Sequence, residues 1–224
     1  VTTTGGLTGG DRLCLDIVLD PGACATVVPQ SAEKLYRGIP GERPTRIETR
    51  IALGAGSCCE WVAQEAILFD GSHMRRSLEV DLAPDARILA MELLVFGRTA
   101  MGEVFSRGLV HDSWRIRRDG RLIWFDALHL DGDVAATTAA PFGFDGARAL
   151  LTLVHAGPDA EDHLELARDL AGENGGATAF DGLLIIRLAG ADPQQVREAG
   201  LRAAEALRQA VFGLRPSLPS LCYC

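Results

Sequence analysis

The chain has 224 residues, 47% of them apolar, which is enough to bury a core of its own and incompatible with intrinsic disorder. Its 22 basic and 30 acidic residues leave a net charge of −8, which repels polyphosphate backbones and argues against a nucleic-acid partner. Lys34 is the single lysine beside 21 arginines, so a Walker A loop and multi-lysine sites are excluded.

The chain starts at Val1 and runs at once into Gly5-Gly6-Leu7-Thr8-Gly9-Gly10, which reads as a truncated or mis-started N-terminus. From Leu13 the residues Leu13, Leu15, Ile17 and Leu19 alternate with Cys14, Asp16 and Val18, a half-buried strand ending at Asp20-Pro21-Gly22. Ala23 to Val28 reads as the return strand. The device recurs: Ile47 to Leu53 into Gly54-Ala55-Gly56, then Cys59, Trp61 and Ala63; and Leu78 to Leu82 into Ala83-Pro84-Asp85, then Ile88 to Phe96. The leucines before the turns, Leu19, Leu53 and Leu82, lie 34 and 29 residues apart. A strand–turn–strand unit repeating at that interval predicts stacked β layers, because each unit alone exposes an apolar face. Three unrelated hairpins in a sandwich are the other reading. Trp114 and Ile116, the turn Asp119-Gly120, then Leu122 and Trp124 predict a hairpin.

After Pro158 the pattern changes, dividing residues 1–157, a β body, from 158–224, an α/β part of the same domain. Leu164, Ala167 and Leu170 recur at helical spacing in Asp159–Leu170, Gly182–Ala189 reads as a strand, and Asp192-Pro193 opens a second helix to Phe212 with an aspartate cap and a first-turn proline. The fold class is mostly β, with helically stacked strand layers and two C-terminal helices. No βαβ alternation precedes Pro158, against a doubly wound nucleotide fold.

Candidate chemistry is sparse. The glycine-rich opening leads into a strand with Asp11 and Arg12 behind it, so it reads as a turn with positive backbone dihedrals. Ser31-Ala32-Glu33-Lys34 matches Ser-x-x-Lys, in which Lys34 would activate Ser31 for acyl transfer, but its companion motifs are missing. The histidines, at 73, 111, 129, 155 and 163, and the six cysteines show no zinc spacing. The cysteine spacing also suits a disulfide framework poorly, and no apolar run approaches the roughly 18 residues of a spanning helix. The reading is a reduced, cytoplasmic, soluble protein. Cys222-Tyr223-Cys224 reads as a frayed tail and Asp131-Gly132-Asp133 as a hairpin tip. Glu60, Gln64 and Glu65 crowd the core residues Trp61, Ile67 and Phe69, Glu92 interrupts an apolar strand, and Arg98 and Glu103 flank a loop framed by Gly97 and Gly102. Such carboxylates are usually paired with arginine; the alternative is a path of weak oxygen ligands for a transient cation.

Several motifs then occur in order: Gly-Gly-Leu-Thr-Gly-Gly-Asp-Arg-Leu at 5–13, Pro-Gly-Ala at 21–23, and Gln-Ser-Ala-Glu-Lys-Leu-Tyr-Arg at 30–37. Glu-Trp-x-x-Gln-Glu-x-Ile at 60–67, Val-Asp-Leu-Ala at 80–83, and Phe-Gly-Arg-x-Ala-x-Gly-Glu at 96–103 follow. The string resembles the UreD (UreH) urease accessory protein family, densely from Gly5 to about Leu130 and thinly to Leu214-Arg215-Pro216. The resemblance implies a non-catalytic maturation factor that joins UreF-like and UreG-like partners and urease apoprotein and helps deliver nickel. It also implies a helically wound β stack, no tightly bound cofactor and no nucleotide on this chain, the GTPase being UreG. Asp11 and Glu103 are carried over as transient nickel-path positions, with Glu65 and Glu92 as weaker ones. Gly9, Gly10, Lys34, Tyr36, Arg37, Glu60, Trp61, Gln64, Gly97, Arg98 and Gly102 are motif positions. Compared with the family, the chain reads as lacking the first strands and as ending in Pro219-Ser220-Leu221-Cys222 in place of a Pro-Arg-x-Trp-like tail.

Overall fold

Each of the three turns of the repeat does separate two strands, and those strands go to different sheets. The computed structural model describes residues 5–39, 41–141, 143–173 and 175–223. In chain order the strands are β1 (Arg12–Leu19), β2 (Cys24–Val27), β3 (Glu33–Leu35), β4 (Thr45–Leu53), β5 (Cys58–Val62), β6 (Ala66–Leu68), β7 (His73–Leu82) and β8 (Arg87–Phe96). Then come β9 (Arg107–Arg118), β10 (Arg121–Asp133), helix α1 (Val134–Ala139), β11 (Ala149–Ala156), helix α2 (Leu164–Ala171), β12 (Gly175–Phe180), β13 (Leu183–Gly190) and helix α3 (Pro193–Phe212). A five-stranded sheet has the order β1-β4-β7-β9-β10, and an eight-stranded sheet runs β12-β13-β11-β8-β5-β2, with β3 and β6 joined to β8.

The repeat has a physical counterpart. Leu19, Leu53 and Leu82 are direct register partners across the parallel strands β1, β4 and β7. In the other sheet β2, β5 and β8 are likewise parallel neighbours. The pairs β9–β10, β8–β11, β11–β13 and β12–β13 are antiparallel, so the architecture is two packed sheets. The β9–β10 hairpin turns at Asp119-Gly120, both at positive φ (50° and 72°), the primed geometry that matches the twist of paired strands.

Helices α2 and α3 cover the outer face of the larger sheet, burying Leu89, Met91, Leu93, Leu151 and Leu153 beneath Leu201, Ala204 and Leu207. Asp192 caps α3 by accepting from the Gln194 amide at 2.9 Å, as the sequence signals foretell, and Gly213 ends it at φ 65°. The first C-terminal helix starts later than expected: Ala160–His163 is a 3-10 turn before α2.

Three expectations are corrected. Cys24 and Cys58 form a disulfide, S–S 2.03 Å, because they are register partners on β2 and β5, a proximity that linear spacing hides. The reduced reading therefore fails for this pair. Asp131-Gly132-Asp133 is no hairpin tip: it continues β10 opposite Arg107–Leu109, and Asp133 caps α1 through the Ala136 amide at 3.0 Å. The tail is docked through Tyr223, with Cys222 buried in a 3-10 turn; Cys224 lies outside the described residues. Helix α1 and the buried strand β11 are additions that the sequence reading does not include.

Candidate functional site

Between the sheets, strand parity sets charged residues in the core. On β7 Arg76 lies between Met74 and Leu78, on β9 Asp112 between Val110 and Trp114, and on β8 Glu92 between Ala90 and Leu94; all are buried. Each flanking pair splits between two apolar clusters, so the charges form a polar layer dividing the core. Arg76 is bidentate to Asp112, Nε–Oδ1 2.8 Å and Nη2–Oδ2 2.9 Å, and its Nη2 lies 3.2 Å from Glu92 Oε2. The indole N–H of Trp61 donates to Glu92 Oε1 at 3.3 Å. One guanidinium thus serves two carboxylates.

The electrostatics follow. Burial alone would lower the Arg76 guanidinium, but Asp112 and Glu92 overcome it and hold the charge firmly. Glu92 has the weaker claim on that cation. Burial pushes its carboxyl up to about 7 against the pull of Arg76, with Asp112 adding to the rise. Burial also raises Glu33, on β3. A cavity of about 120 Å³ opens beside the layer, lined by Arg76, Glu92, Asp112 and Thr152, with the more exposed ion pair Asp126–Arg187 on its wall. A carboxyl that exchanges its proton near neutrality beside a cavity can exchange it for a cation, or remain a structural donor.

On the other face of the larger sheet the remaining carboxylates of the 60–67 segment meet α3. Glu60 pairs with Arg208 at 3.3 Å and accepts from the Thr26 hydroxyl. Arg197 reaches Glu65 at 3.1 Å, Gln64 Oε1 at 3.3 Å and the Cys222 carbonyl at 2.7 Å, while Gln64 donates to the Leu221 carbonyl at 2.6 Å. Helix, sheet and tail are therefore tied by two arginines.

A third group gathers around Phe69 and Asp70. Tyr36 packs edge-on against Phe69 (5.0 Å) and its hydroxyl donates to the Gly5 carbonyl; Arg37 pairs with Asp70 at 3.2 Å. The Arg98 guanidinium lies 4.2 Å over the Phe69 ring and pairs with Glu103, whose other oxygen accepts the Asp70 amide at 2.7 Å. Gly97 makes this loop possible: at φ 90°, a Cβ there would sit 2.4 Å from the Glu103 carbonyl. Gly102, also at positive φ (68°), faces open space.

Asp11 stands elsewhere. Its exposed carboxylate accepts the Thr8 amide at 2.8 Å and closes the Gly9-Gly10 turn, where Gly10 has φ 82°. Asp11 and Glu103 share no hydrogen bond or ion pair among the described residues, and neither do Ser31 and Lys34, both exposed. Among the described residues no three His, Cys, Asp or Glu side chains converge on a metal-sized site. Of the polar layer, Glu92 and Trp61 are among the sequence candidates and Arg76 and Asp112 are not. The signal was available: both sit at inward parity between apolar inward residues, Met74 and Leu78 on β7 and Val110 and Trp114 on β9.

The model of the UreD urease accessory protein family matches residues 1–222. The chain belongs to the UreD family. A protein of Rhizobium rhizogenes named urease accessory protein UreD is 44% identical over 209 residues, covering 93% of this chain and 76% of that protein. Its namesake in Methylobacterium is 41% identical over 217 residues, with the same coverages, and one in Xanthobacter autotrophicus 41% over 215 residues, covering 94% and 73%. Arg76, Asp112 and Glu92 thus form the buried charge layer of a UreD chain.

Proposed function

We propose that this chain is a non-catalytic urease maturation factor that scaffolds an accessory complex in the cytoplasm and helps pass nickel to urease apoprotein. The observation that carries the reading is the family match across residues 1–222. Among the described residues no helix is long and apolar enough to cross a membrane. UreF-like and UreG-like proteins are the proposed partners, nickel(II) is cargo with no resident cofactor, and nucleotide chemistry belongs to the UreG-like GTPase.

Within that reading the polar layer is the part of the chain best suited to weak, exchangeable oxygen ligation. Glu92 releases its proton near neutrality, Asp112 is fixed by Arg76, and a cavity lies alongside. Asp11, Glu103 and Glu65 remain proposed path positions, each already engaged by a hydrogen bond or an arginine that an incoming cation must displace. The test is co-expression of this chain with UreF-like and UreG-like proteins and urease subunits, reading nickel per active site and urease activity. Omitting the chain should abolish activation. Glu92→Gln, and separately Asp11→Ala with Glu103→Ala, should cut nickel loading several-fold while the accessory complex still copurifies. Full activation without the chain would overturn the reading.

A further inference from the structure

The solvent face of the five-stranded sheet carries a row of basic residues. Register pairing places Arg12 beside Arg46, Arg46 beside Arg75, Arg75 beside His111, and His111 beside His129, one residue from each strand. Arg12, Arg46, Arg75 and His129 are exposed and His111 half-buried. The imidazoles of His111 and His129 stack edge to face at 5.4 Å, and His111 Nδ1 has no hydrogen-bond partner in the structure.

Like charges directly opposite on neighbouring strands destabilise a sheet. Farther along the same strands such clashes are avoided: Asp16–Arg50, Glu79–Arg115 and Asp81–Arg117 are compensated pairs. Arg12 leans out of its own row to Glu48 at 2.8 Å. Arg46 and Arg75 make no ion pair among the described residues. Two arginines of the row, Arg46 and Arg75, are therefore kept without an ion pair among the described residues on a molecule of net charge −8. We infer that this row is the docking surface for an acidic, extended polypeptide segment of a partner protein.

Dimensions favour that occupant. Five strands span four gaps of about 4.8 Å, roughly 19 Å, and an extended segment repeats its side chains on one side every 6.6–7 Å or so. A segment of about six residues with carboxylates at alternate positions covers the row. A nucleic-acid duplex is wider than one row and would meet Glu48 in the next row and Asp16 and Glu79 beyond it. A divalent cation at the two imidazoles would meet Arg75 on the neighbouring strand. The inference stands apart from the urease reading and can be tested without urease.

The experiment is fluorescence anisotropy with a labelled peptide of alternating Glu and Ala, against its Gln–Ala counterpart and a single-stranded oligonucleotide. The glutamate peptide should bind the full chain, weaken at least tenfold from 50 to 500 mM salt, and lose at least tenfold affinity to Arg46→Glu/Arg75→Glu. The charge-matched control Arg202→Glu/Arg215→Glu, at exposed positions off this sheet, should bind normally, and circular dichroism should show both variants folded. Equal binding of the Gln peptide, equal loss in the control, or tighter binding of the oligonucleotide would overturn the proposal. So would sedimentation showing that the row instead joins two copies of this chain, as self-association lost in Arg46→Glu/Arg75→Glu.

Discussion

Arg76, Asp112 and Glu92 show what one residue decides. Removing the guanidinium strands two buried carboxylates, so Arg76→Leu should cost about 3–5 kcal/mol, whereas Glu92→Gln, which keeps a neutral hydrogen-bonding group, should be mild. The pH dependence has a definite sign. Burial holds the Glu92 carboxyl up near 7, above its ordinary unfolded value, so between the two the unfolded chain has released a proton that the folded chain keeps. Stability contributed by this group is present at acid pH and falls as pH rises through that window, by about 1.4 kcal/mol per pH unit. Asp159 acts oppositely. The hydrogen bond from buried His155 (3.1 Å) lowers its carboxyl, so its contribution is present near neutrality and lost in acid. Urea titrations from pH 5 to 8 should show a downward slope in the parent that is absent in Glu92→Gln; an unchanged slope would assign it to other groups.

At the scale of elements, α3 is the best-specified piece of the chain, with its cap, its first-turn proline and its period all visible in the sequence. What it holds was not visible. Arg197 touches Glu65 and Gln64, more than 130 residues back, and the tail carbonyl of Cys222, contacts that no local pattern encodes. Arg197→Ala should therefore release the Ser220–Tyr223 turn while leaving the helix intact. Mass-resolved alkylation should find Cys222 modified at least tenfold faster, while Cys59, buried beneath the sheet with its thiol pushed up to about 12, stays protected. Unchanged Cys222 labelling would show that Leu218 and Tyr223 suffice to hold the tail. Strands with strict alternation, such as β4 and β7, were equally legible. The short strands β3, β6 and β12 were not, because three to six residues give periodicity too little length to register.

For the molecule as a whole, the sequence showed a repeating β body and a helical end, and the family motifs in order, but not how the repeat divides between two sheets. That division depends on pairing between residues about thirty positions apart, which parity alone leaves open. The polar layer and the basic row share this origin: each draws one residue from several repeats, so each appears only when the repeats are laid in register. The disulfide Cys24–Cys58 comes from the same stacking, and it sits on β2, the outermost strand of its sheet. It closes a loop of 34 residues, worth about 3–4 kcal/mol by loop entropy, so Cys24→Ser/Cys58→Ser should lower stability by that order in denaturant titration. It is also a guard rail. A four-residue border strand held by one parallel neighbour is easily shed, and a shed border leaves β5 with unsatisfied amides and carbonyls that another chain can zip onto. Whatever thiol reductant the protein meets thus sets how long its sheet stays closed to strand addition.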